Sequence, residues 1–147
     1  MIDERVLKMK TPEECESLAR NAENKHPEIA KQARRRAVEL RAAAYGATTD
    51  AEREALEAVF AVEEVKSTRS RRAHASRTWQ SIKRHGILPT VERVVSRTKE
   101  TEGYAALAEA GMHDFTFEAV VLRHPSLFAL ETVERAKQRI AEWTKHE

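Results

Sequence analysis

The chain has 147 residues, 34% of them charged and 41% hydrophobic, which suits one domain or two very small ones. A domain of this length buries roughly 68–70% of the surface its unfolded chain exposes, and the periodic spacing of its apolar residues excludes a disordered polypeptide. The net charge is only +2, yet residues 66–99 hold ten Lys/Arg against a single acid, Glu92, while residues 1–65 and 100–147 are net acidic.

Alanine is plentiful, and glycine and proline number four each. That composition predicts an all-α protein of six or seven short-to-medium helices, in one bundle-like domain or two small helical lobes. The lone cysteine, Cys15, has no partner for an intramolecular disulfide and is expected as a small buried residue. The longest apolar run, Ala58 to Val62, is five residues. Neither a signal peptide nor a membrane span is therefore expected, and the expected compartment is the cytoplasm.

The first strong helix start is Thr11-Pro12-Glu13-Glu14, with Thr11 as N-cap, Pro12 at the first helical position and Glu14 at the capping-box position. That helix carries Cys15, Leu18, Ala19 and Ala22 on one face and ends before His26-Pro27. Pro27 opens a second helix with a stripe of Ala30, Ala33, Ala37, Leu40 and Ala44, closed by Gly46. The short link predicts an antiparallel hairpin. It is similar in outline to a tetratricopeptide hairpin, but no second copy follows at the required period.

Thr49-Asp50-Ala51-Glu52 caps a third helix, which runs through Ala55, Leu56, Val59, Phe60 and Val62 to about Lys66. Residues 67–72 are Ser-Thr-Arg-Ser-Arg-Arg, without apolar periodicity, and read as a linker or a frayed cationic helix end. Ser76 is placed to cap a helix over 77–85, stopped by Gly86, and Pro89 to start the next, with Val91, Val94 and Val95 inward. Further helices are expected over about 102–110, from Phe117 to before Pro125, and after Ser126. Asp114 and Thr116 are alternative caps for the second of these. The last carries Val133, Ala136, Ile140 and Trp143 on one face. The expected division is a three-helix segment over 1–67 and a helical segment over 68–147 that begins with the basic arm, a single compact domain being the alternative.

Catalytic and metal chemistry find little support. His113-Asp114 matches the dipeptide of HD-type phosphohydrolases, but no aspartate follows it. Glu23 and His26 form only one of the two Glu-x-x-His pairs that a di-iron bundle needs. No glycine-rich phosphate loop exists, because Gly46, Gly86, Gly103 and Gly111 stand far apart. The expectation is a non-enzymatic protein with no cofactor and no metal.

The basic block carries the functional expectation. On a helical wheel over 77–85, Trp79 and Ile82 point one way and Arg77, Gln80, Ser81 and Arg84 the other, with Lys83 and His85 at the flanks. The next helix turns Val91, Val94 and Val95 inward and Thr90, Arg93 and Arg97 outward. Guanidinium forks suit phosphate and guanine, and a glutamine amide suits adenine. Joined by Gly86-Ile87-Leu88, the two helices resemble a helix-turn-helix, except that Glu92 stands where such a unit places an apolar residue. The expected interface is Lys66, Arg69, Arg71, Arg72, Arg77, Gln80, Lys83, Arg84, His85, Arg93 and Arg97. Its expected ligand is DNA or RNA; the alternatives are an acidic protein partner of an adaptor subunit, or neutralisation by the chain's own acidic helices. No membrane partner is expected, and a homodimer is compatible with the sequence. Trp79 is expected as a core anchor rather than a base-stacking platform. Arg34-Arg35-Arg36 is expected to be solvated, since consecutive helical residues point about 100° apart.

Overall fold

The computed structural model describes residues 1–67, 71–97, 99 and 101–145, the side chains of 144 and 145 excepted. Among the described residues the chain is all-α and contains no strand. It divides into two compact units, Met1–Ala47 and Thr48–Glu147.

The first unit contains α1 (Glu4–Leu7), α2 (Pro12–Ala22) and α3 (Pro27–Tyr45). Thr11 accepts from the Glu14 N–H at 3.2 Å, as its cap position requires. Ala19, Ala22, Ala30 and Ala33 bring α2 and α3 together over Ile29, with Val6 of α1 in the same cluster. Small side chains let the two backbones approach closely, and the Arg41–Glu16 ion pair at 2.5 Å ties the helices at their edge. Burial pushes the Cys15 thiol above its ordinary pKa, as expected of a core residue. Gly46 ends α3 at φ 88°, where a side chain would be strained. The arginine triplet is half-buried and engaged rather than solvated: Arg34 pairs with Glu23 at 3.3 Å and Arg36 donates to the Met9 carbonyl at 3.0 Å.

The second unit contains α4 (Asp50–Lys66), α5 (Ser76–His85), α6 (Ile87–Val95), α7 (Glu102–Glu109), α8 (Phe117–Arg123) and α9 (Leu130–Lys145), with single 3₁₀ turns at His113–Phe115 and Pro125–Leu127. The expected three-helix N-terminal segment therefore meets a boundary at Ala47 instead of residue 67, and α4 packs with α6, α7 and α8. The described residues hold nine α-helices against the six or seven expected; eight of them follow starts or stripes read in chain order, and α1 is too short to show an apolar period. The core gathers Ala55 of α4, Val91 and Val95 of α6, Val121 of α8, and Val133 and Ala136 of α9. Phe117 and Phe128 pack against it.

Two ionic arrangements hold this unit together across long sequence separations. Glu118 of α8 and Arg139 of α9 form a pair at 2.8 Å whose side chains are 2% and 7% exposed. The same guanidinium donates to the Arg97 and Lys99 carbonyls beyond the end of α6. Glu54 of α4 receives the Arg123 guanidinium and, at 2.8 Å, the His124 ring. Burial raises the Glu54 pKa, but hydrogen bonds from His124 and Arg123 outweigh it and hold the carboxyl below its ordinary value. A depressed folded-state pKa contributes stability above the unfolded value of about 4.3, lost as pH falls through the folded value. Glu54→Gln is therefore expected to flatten the acid limb of a stability–pH profile below about pH 4.5, read by urea unfolding across pH. An acid limb as steep as that of the parent chain would contradict the assignment.

Candidate functional site

The basic segment is built onto α4 by Glu63. This residue lies seven positions after Leu56 and four after Val59, on the buried stripe of α4, and its side chain is 8% exposed. Its Oε2 accepts from the Ala75 N–H and from the Trp79 Nε1–H, both at 2.8 Å, with the His74 Nδ1 at 3.4 Å. Ser76 was the expected cap; instead α5 begins at Ser76, Ala75 occupies the cap position, and Glu63 supplies the acceptor from another helix. A carboxylate at this N-terminus also opposes the positive end of the helix dipole. The Trp79 ring, half-buried, meets the half-buried Phe60 at 5.1 Å between centroids, at the edge of the core. Glu63→Ala would leave two donors without their acceptor. A loss of about 1–3 kcal/mol is expected, measured by denaturant unfolding, and a change within a few tenths of zero would refute this capping role.

The described part of the arm is docked. Ser67 Oγ donates to the Glu63 carbonyl at 2.6 Å and accepts from the Ala73 N–H at 2.9 Å. Arg72 pairs with Glu64 at 3.0 Å, and Lys66 with Glu102 at 3.4 Å. Arg71 is exposed, and Arg69 lies outside the described residues. Part of the positive block is thus neutralised by acids of α4 and α7.

The two helices that follow are different. Only Gly86, at φ 95°, separates α5 from α6. A helix-turn-helix uses a turn of three or four residues, so the pair departs from that geometry. The α6 start precedes Pro89 by two residues. Proline is tolerated there because the first-turn N–H groups have no intrahelical acceptor. Thr90, expected outward, is fully buried: its hydroxyl donates to the Gly86 carbonyl at 2.8 Å and lies 3.0 Å from Ser81 Oγ. These hydroxyls therefore lock α5 to α6 and leave the outer face to longer side chains. Glu92 is also directed inward, accepting from Thr132 Oγ1 at 2.5 Å and from the Ala129 N–H at 3.3 Å. The residue that departs from the helix-turn-helix pattern is thus an acceptor at the start of α9.

Arg77, Gln80, Lys83, Arg84 and His85 are exposed on α5, as are Arg93 on α6 and Arg97 just beyond it. Among the described residues none of their side chains is paired with a carboxylate. Arg77, Arg93 and Arg97 line a cavity of about 620 Å³ between α4, α5, α6, α7 and α8. Gln80, Lys83, Arg84 and His85 lie outside that cavity, on the remainder of α5. The expected interface therefore resolves into a docked arm, a cavity rim and an exposed helix face, with Arg77 shared by the last two.

No group of three or more His, Cys, Asp or Glu side chains suited to a metal ion occurs among the described residues. None of the described helices is long and apolar enough to cross a membrane. Comparison with protein-family models, with curated proteins and with solved structures yields no match for this chain.

Proposed function

We propose that the second unit is a helical, non-enzymatic nucleic-acid-binding module, with α5 and α6 presenting its contact surface. The observation that carries this reading is the exposure of Arg77, Lys83, Arg84 and Arg93 on two adjoining helices, and of Arg97 just beyond the second, without a carboxylate partner among the described residues. Self-neutralisation accounts for the arm, through Arg72–Glu64 and Lys66–Glu102, but not for these helices. Exposed guanidinium and ammonium groups on a rigid support attract polyphosphate and release its counterions on binding.

Within that class the reading is of a phosphate-dominated binder. Gln80 lies three residues after Arg77 and four before Arg84, the one amide among the cations, and supplies limited base-edge contact. Fluorescence anisotropy with a mixed-sequence duplex, a single strand and an RNA hairpin tests the proposal at ~50 mM salt, where phosphate contacts are strong. Binding that weakens steeply with added salt supports it. No binding to any of the three removes it and leaves an acidic protein surface as the ligand of the same cations.

A further inference from the structure

The cavity between α4, α5, α6, α7 and α8 combines two chemistries. Val62, Val94 and Phe117, all half-buried, provide apolar surface, whereas Arg77, Arg93 and Arg97 bring three guanidinium groups without a carboxylate partner among the described residues. The carboxylates that also line it are already engaged. Glu63 holds the Ala75 and Trp79 N–H groups, Glu102 pairs with Lys66, and Glu118 pairs with Arg139. A volume of about 620 Å³ falls within the range of small-molecule sites. An apolar wall beside cations suits a ligand with a flat, weakly polar body and an anionic end.

We infer that this cavity receives a single nucleotide, its base against Val62, Val94 and Phe117 and its phosphate among Arg77, Arg93 and Arg97. The inference deepens the nucleic-acid reading and rests on it for the source of the nucleotide, an unpaired residue of a bound strand. A free nucleoside monophosphate shares the same chemistry. Arg77 stands both on the cavity rim and on the exposed α5 face, so a strand tracking that face passes the cavity mouth.

The test compares a matched duplex with the same duplex carrying one extra unpaired adenosine nucleotide. The bulged duplex is expected to bind about tenfold more tightly, the order of gain that seating one base on an apolar or aromatic surface provides. Adenosine monophosphate is expected to compete away that increment, and inorganic phosphate is not. Thr78→Trp keeps every cation and fills the cavity. It is expected to abolish the increment while leaving matched-duplex affinity unchanged. Nucleotide titration into the parent chain, followed by methyl NMR shifts of Val62, Val94 and Leu107, reads the site without any variant.

Equal affinity for both duplexes, together with no nucleotide-induced shifts, overturns the cavity inference and leaves the surface reading standing. Competition by inorganic phosphate equal to that of the nucleotide also overturns it, because the base then contributes nothing. If no oligonucleotide binds but the monophosphate does, and Thr78→Trp abolishes this, the cavity stands and the surface reading falls.

Discussion

Arg139→Ala is expected to destabilise the second unit by about 3–5 kcal/mol, the range for removing one partner of a buried ion pair. The size follows from what the substitution leaves behind. Glu118 would remain buried with its guanidinium partner gone. The Arg97 and Lys99 carbonyls would lose a donor at the same time. Against a total domain stability of about 5–15 kcal/mol, such a loss leaves a marginal fold. Both tryptophans, Trp79 and Trp143, lie in the second unit, so urea unfolding followed by tryptophan fluorescence reports this unit selectively. The double variant Glu118→Leu/Arg139→Met removes both charges and is expected to recover part of the loss, since an apolar replacement of a buried pair is often tolerated. Recovery should stay incomplete because the Lys99 carbonyl still lacks the Arg139 donor and the Arg97 carbonyl keeps only Arg135. A loss below about 1 kcal/mol in the single variant would instead be typical of an exposed pair and would contradict the buried arrangement.

The second large effect is on binding. Converting Arg77, Lys83, Arg84 and Arg93 to glutamine removes four exposed cations while sparing the ion pairs of the arm. Each phosphate contact contributes about 0.9 to the log–log salt slope on duplex DNA. Four lost contacts should flatten the slope by about 3.6, so the parent chain's affinity advantage should shrink by about 150-fold between ~50 and ~200 mM salt. Folding should be little affected, because none of the four makes an ion pair among the described residues. Arg72→Gln is expected to behave oppositely: it removes the ion pair between the arm and Glu64 of α4, with a greater consequence for stability than for the salt slope.

The helices were legible where local chemistry determines them. Thr11, Thr49 and Thr116 all accept from the N–H three residues on, as their spacing predicts. The single apolar stripe of α2 marks its buried face through Cys15, Ala19 and Ala22. The candidate surface was legible in part, because charge and wheel position place Arg77, Gln80 and Arg84 outward. What escaped local reading depends on contacts between distant segments. Glu63 reaches Ala75 and Trp79, Glu92 reaches Thr132, and Arg139 reaches Glu118. A signal did exist for Glu63, which interrupts the apolar stripe after Leu56 and Val59, and an acid at such a position needs a donor to face. Thr90 shows the converse. Its hydroxyl marks it as polar, yet the backbone carbonyl of Gly86, four residues earlier, satisfies it inside the fold. The cavity was not legible at all, since its walls come from α4, α5, α6, α7 and α8 together.

The most direct measurement of the central claim is the salt dependence of duplex binding for the parent chain beside the Arg77→Gln/Lys83→Gln/Arg84→Gln/Arg93→Gln variant. The surface described predicts a log–log slope about 3–4 shallower in the variant, with unchanged unfolding. Equal slopes for two folded proteins, or no binding by the parent chain at ~50 mM salt, would contradict it.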